Sequence, residues 1–145
     1  MSVGISHGIA STLEGSVWTW GSNNNGQLGT GTYDDQLYPT ELNSIQNVCL
    51  VKAGFTFSVA LRKDGTVWTW GRNVIGQLGL GNTVPTNYPR MIKGLTNVID
   101  VACGPEHSVA LCEDGSLWAW GSNYGGQLGD GTNEDRLQPI RVIFP

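Results

Sequence analysis

The sequence predicts an all-β chain made of β-propeller blades, and three observations predict it. The line GSVWTWGSNNNGQLGTG at 15–31 returns as GTVWTWGRNVIGQLGLG at 65–81 and GSLWAWGSNYGGQLGDG at 115–131, a fixed period of 50 residues. Self-similarity at such a period marks a repeat architecture. Each period also holds four short strand candidates parted by turn signals, with no amphipathic helix. Finally, SVAL at 58–61 and 108–111 is small or apolar at successive positions, so both sheet faces must be covered, as stacked blades cover them. The expectation is one repeat domain over 1–145 with repeats at 1–46, 47–96 and 97–145, each an antiparallel four-stranded blade.

The third repeat shows the elements in order. NVIDVACG (97–104) is β-branched and apolar, GPE (104–106) turns, and HSVALCE (107–113) is a second strand. Asp114-Gly115 reads as a two-residue hairpin, repeated at Asp64-Gly65 and matched by Glu14-Gly15. SLWAWGS (116–122) is the third strand; a polar, Gly-rich loop then leads to Pro139 and a short fourth strand, PIRVI (139–143), with Pro39 and Pro89 in the matching positions, where a missing backbone donor suits an edge or a strand start. In the first repeat the opening strand falls before or across Met1, so that blade is expected to lack it. The six tryptophans, Trp18, Trp20, Trp68, Trp70, Trp118 and Trp120, all lie in the repeated WxW words. Their large apolar area points to packing between blades.

Composition narrows the function classes. The chain has 12 acidic and 8 basic residues, a net charge of −4, and its Lys and Arg are scattered. Without a basic stripe to follow a phosphate backbone, it is not expected to bind nucleic acid by itself. Cys49, Cys103 and Cys112 do not share the period, which suits small apolar fillers in a reducing compartment, cytoplasmic by default, better than a disulfide frame. Neither a CxxC nor an HxxxH pair is present for zinc. No signal peptide or membrane-spanning run is visible.

No catalytic constellation emerges, and no cofactor or metal is expected. GQLGLG (76–81) resembles a phosphate loop only superficially, because no helix follows it. His7 and His107 share a slot with Phe57, which points to packing. The Ser, His and carboxylate residues are distributed by repeat, whereas a triad needs one special set. Differences between copies are more informative. The variable stretches 22–25, 72–75 and 122–125, with 32–38, 82–88 and 132–138, are loops on the rim, where a rigid scaffold carries its contacts. The candidate partner-binding residues are Asn24, Tyr33, Asp34, Asp35, Arg72, Val74, Ile75, Tyr124, Glu134, Asp135 and Arg136.

The pattern GxxHSxALxxDGxxWxWGxNxxGQLGxG, followed by a Pro about ten residues later, resembles the repeat of the regulator of chromosome condensation family across essentially the whole chain. The resemblance implies a propeller, usually of seven blades, but not a single activity. One member is an exchange factor for a nuclear small GTPase and uses a protruding wedge; every loop here keeps the repeat length, so no wedge is visible. The family's plant photoreceptor carries the word GWRHT, whose slots here read GISHG (4–8), GFTFS (54–58) and GPEHS (104–108). A non-enzymatic interaction scaffold with an unknown protein partner is the preferred reading, and GTPase exchange the alternative.

Three blades do not close a ring. The expectation is a partial propeller, or half of an oligomeric ring in which two chains supply six blades. A homo-oligomer, most simply a two-fold dimer, is therefore expected.

Overall fold

The computed structural model describes all 145 residues, as twelve strands and no helix. The first sheet contains β1 (Ser2–Val3), β2 (His7–Ser11), β3 (Val17–Gly21) and β4 (Gln36–Leu42). The second contains β5 (Val48–Ala53), β6 (Phe57–Arg62), β7 (Val67–Gly71) and β8 (Thr86–Met91). β9 (Val98–Cys103), β10 (His107–Cys112), β11 (Leu117–Gly121) and β12 (Arg136–Arg141) form the third. Each sheet is an antiparallel meander in chain order, and the three together form an unclosed partial propeller.

The first blade does have an opening strand. β1 is cut to two residues, against six in β5 and β9, and pairs Ser2 with Ile9 and Val3 with Gly8. The backbone groups on the inner edge of β2 attract whatever extended chain precedes them. Pro39, Pro89 and Pro139 lie inside β4, β8 and β12, so Pro139 does not start its strand, while the expected edge placement holds for all three. These are edge strands, and each has an irregular register against its neighbour beside the proline, so the missing N–H breaks no ladder.

The hairpins are three-residue loops. Around Asp114, Cys112 N–H donates to Ser116 O and Gly115 N–H to Cys112 O, with Gly115 at φ +83. This is a turn closed by a glycine in the left-handed region, one residue longer than the Asp-Gly word alone suggests. The Asp64 carboxylate accepts from the Thr66 amide and hydroxyl at 3.0 and 2.6 Å, which holds its carboxyl below the usual range.

The cores lie between sheets. Ile9, Val17, Leu42, Val48, Val51 and Trp70 fill the space between the first and second blades. Phe57, Leu61, Leu78, Ile92, Val98 and Trp120 fill the next. Cys112 belongs to this second core, but Cys49 is exposed and fills nothing. Burial pushes the Cys103 thiol up to about 11.

The two tryptophans of the second and third words separate in role. Trp68 and Trp118 are half-buried and donate their indole N–H to Thr66 and Ser116 in their own hairpins, both at 3.0 Å. Trp70 and Trp120 are sealed, and each reaches back one repeat: Trp70 Nε1 to Gln27 O at 2.9 Å, Trp120 Nε1 to Gln77 O at 3.1 Å. A buried indole N–H needs an acceptor, and the neighbouring blade supplies it.

Candidate protein-interaction face

One asparagine per repeat organises the long loop after the third strand. Asn23 Oδ1 accepts from the Leu28 amide at 3.0 Å, while its Nδ2 donates to Thr32 O and Asp34 O, also at 3.0 Å. Asn73 and Asn123 repeat these bonds, and all three asparagines are fully buried. Gln27, Gln77 and Gln127 add the expected amide tie, their Oε1 accepting from residues 25, 75 and 125 at 2.9–3.0 Å. With its asparagine fully bonded and its glutamine Oε1 tied, although Gln77 Nε2 is buried without a partner, the loop becomes a firm mount for a variable tip.

The loop tips share one end of the blades with the turns after the opening strands. The amides of Ser22, Arg72 and Ser122 donate to the carbonyls of Ser6, Thr56 and Glu106 at 2.9–3.0 Å. Those turns are in turn linked across blades, Ile5 N–H to Phe55 O at 3.2 Å and Phe55 N–H to Pro105 O at 2.9 Å. Ile5, Phe55, Val74 and Tyr124 are exposed here, Tyr124 at 81%. Between the second and third blades a groove of about 520 Å³ is lined by Phe55, Pro105, Glu106, His107, Ser122 and Tyr124. Arg72 and Glu106 pair across the same boundary at 3.6 Å.

The sequence-nominated residues divide into two groups. Asn24, Tyr33, Asp34, Val74 and Tyr124 have exposed side chains, and Arg72 and Ile75 are half-buried beside them. Asp35 and Asp135, though exposed, are engaged: each accepts from the amide of its loop asparagine at 2.7 Å. Arg136 is held by Asp130, with Nη2 at 2.6 Å, and by Glu134 at 3.7 Å. Burial opposes ionisation of Asp130, but bonds from Thr132, Arg136 and Asn123 outweigh it and bring its carboxyl to about 2.

Ile5, Phe55 and Pro105 were not among the nominated residues. Their slot varies between copies as strongly as the loops do, and that signal marks them. The asparagines were visible only as a repeated letter, because their partners lie up to 11 residues ahead. His7 and His107 are not a catalytic pair. His7 is buried at the first joint, with Nε2 2.9 Å from Ser58 Oγ, and burial lowers it to about 4.

A family model described as Regulator of chromosome condensation (RCC1) repeat matches residues 14–61, 64–111 and 114–145, and a second of the same description matches 48–77 and 98–127. The Arabidopsis thaliana ultraviolet-B receptor UVR8 is 42% identical over 48 residues, 33% of this chain and 11% of that protein. The crystal structure of human WBSCR16 is similar at 31% identity and a TM-score of 0.85, covering 97% of this chain and 38% of that one. Prp20p from Saccharomyces cerevisiae, whose structure was reported with its binding properties to Gsp1p and histones, gives 23% identity and a TM-score of 0.87 over 98% of this chain and 37% of that one. The chain therefore spans well under half the length of these solved relatives.

Proposed function

The chain belongs to the regulator of chromosome condensation repeat family, and on that premise we propose that it is a non-enzymatic protein-interaction scaffold that works as a homo-oligomer, a dimer first of all. One observation carries the reading: the same asparagine-centred hydrogen bonds hold loop tips and turns that differ from blade to blade, Asn24, Val74 and Tyr124 in one slot and Ile5, Phe55 and Pro105 in another. A rigid frame with a varied, partly apolar face suits recognition of a protein surface. The exposed Phe55 and Tyr124 flank the groove and are its natural anchors.

Affinity capture from cell extract, with quantitative mass spectrometry, tests this. The native chain is compared with Phe55→Ser/Tyr124→Ser and with a control at the opposite end, Lys63→Ala/Glu113→Ala. Proteins lost with the first variant and kept with the second are expected; a captured set indifferent to the face variant would refute the assignment.

Exchange on a small GTPase is the second reading, favoured by the likeness in fold to Prp20p and its reported binding properties to Gsp1p. Faster nucleotide release from a small GTPase in the presence of the native chain would move the assignment to exchange.

A further inference from the structure

The two joints between blades are built alike. A row of glycines on one blade is pressed by the next: a Cβ at Gly76 would lie 2.5 Å from the Leu137 side chain, and one at Gly79 2.8 Å from the Trp120 ring. At the preceding joint, Gly26 meets Asn87 at 2.7 Å and Gly29 meets Trp70 at 2.7 Å. Two bonds recur with this packing. The second Trp of the word donates to the Gln carbonyl, and the amides of Gly31 and Gly81 donate to Asn87 O and Leu137 O at 2.8 and 2.9 Å.

Each outer face holds one half of this joint. On the third blade, an added Cβ at Gly115 would meet nothing and one at Gly126 only its own loop at 3.9 Å, while one at Gly129, the slot covered by Trp70 and Trp120 at the internal joints, would meet the Val142 side chain at 3.0 Å. Gln127 is half-buried, whereas Gln27 and Gln77 are sealed. On the first blade Trp20 is half-buried, and Leu37, one period before Asn87 and two before Leu137, is 89% exposed. The same residue type that covers Gly76 is thus displayed, uncovered, at the other end of the molecule.

We infer that a second copy of this chain docks its Trp20–Leu37 face onto the Gln127–Gly131 face, reproducing the internal joint. Trp20 Nε1 donates to Gln127 O, Gly131 N–H to Leu37 O, and the Leu37 side chain lies over Gly126. The contact is heterologous, and two of them close a two-fold ring of six blades. This assignment rests on the homo-oligomer reading above and gives it a register. Two local features act against the joint. Pro105 has no N–H with which to extend the bonds through Ile5 and Phe55, and Val142 and Ile143 lie against Gly129, the latter bonding its carbonyl at 3.1 Å, so residues 142–143 must move aside for the incoming indole. A ring held twice gains effective concentration at its second contact, and a stable pair buries about 1,200–2,000 Å² in all.

Light scattering on a size-exclusion column, with Leu37→Asp and Gly126→Asp run singly and as an equimolar mixture, tests the register. Leu37 and Gly126 are both exposed, and aspartate tolerates the φ of +75 at Gly126, so circular dichroism should match the native chain. The native chain is expected at twice 15.6 kDa, each variant alone at 15.6 kDa. In the mixture one contact joins an intact Leu37 to an intact Gly126 while the other carries both substitutions, so the mixture is expected to be heavier than either variant alone, increasingly with concentration, without the stability of the doubly held native pair. A native monomer would overturn both the joint and the homo-oligomer reading. A dimer that survives both substitutions, or a mixture no heavier than either variant alone even at the highest concentration, would overturn the joint alone.

Discussion

Trp20 and Trp120 stand in the same slot of the same word, one half-buried on the first blade and the other sealed between the second and third. Nothing in either residue or its strand makes the difference. Trp120 has a Gln carbonyl and a glycine row from the preceding blade against it, while Trp20 lies over Gly8, where a Cβ would sit 2.3 Å from its ring. The repeated word therefore specifies half of an interface, and its value in stability depends on the neighbour that completes it.

Truncating the two indoles gives the largest test of this contrast. Trp120→Ala opens a buried site and leaves the Gln77 carbonyl without its donor, a loss of about 3–5 kcal/mol in urea unfolding. Trp20→Ala in a chain held monomeric by Leu37→Asp should cost less than half as much. Equal losses would mean that the joint does not set the energetics.

The loop mounts sharpen the comparison at the next scale. Asn73→Ala deprives the buried Leu78 amide and the carbonyls of Asn82 and Val84 of partners, at a cost of up to about 3 kcal/mol. Asn123→Ala breaks the same bonds in the outer blade, where the Gln127 beside it is half-buried and water can reach the loop. A smaller loss is expected there, read by the same unfolding curves.

The smallest effect is tied to pH. His7 is held neutral in the first joint, its value falling from 6.5 to about 4 through burial. Protonation then favours the unfolded chain, so the stabilisation is complete above about pH 6.5 and is lost as pH falls towards 4. At about 1.4 kcal/mol per unit, the chain should lose about 2 kcal/mol between pH 7 and 5. His7→Phe, which installs the residue of the equivalent slot at Phe57, should flatten most of that slope. His107, half-buried in the outer blade, is lowered by the same cause and is expected to carry the remainder. A slope unchanged in His7→Phe would show that His7 is not its source.

Much of the fold was legible because it is local and periodic. β-branched runs, Asp-Gly turns and a 50-residue spacing place four strands per blade without knowledge of any distant contact. The errors arose where local words had non-local completions. Pro139 reads as a strand start, yet β12 begins at Arg136, because an edge strand with an irregular register beside the proline can dispense with its N–H. The opening strand of the first blade, two residues at Ser2–Val3, exists because β2 offers it a ladder. At the candidate face, Val74 and Tyr124 could be picked out as variable positions, but the alignment of Ile5, Phe55 and Pro105 beside them depends on backbone bonds between blades.

By itself, then, the sequence determined the repeat, the blade, the hairpins and the placing of six tryptophans, since each follows from side-chain alternation and turn chemistry within a few residues. Only the tertiary structure decided that Trp70 and Trp120, and not their partners in the word, seal the joints, which asparagine anchors each loop, and which two faces remain without a blade against them. Those outcomes depend on groups one whole repeat apart, and burial and hydrogen bonding at that range exist only once the blades have stacked.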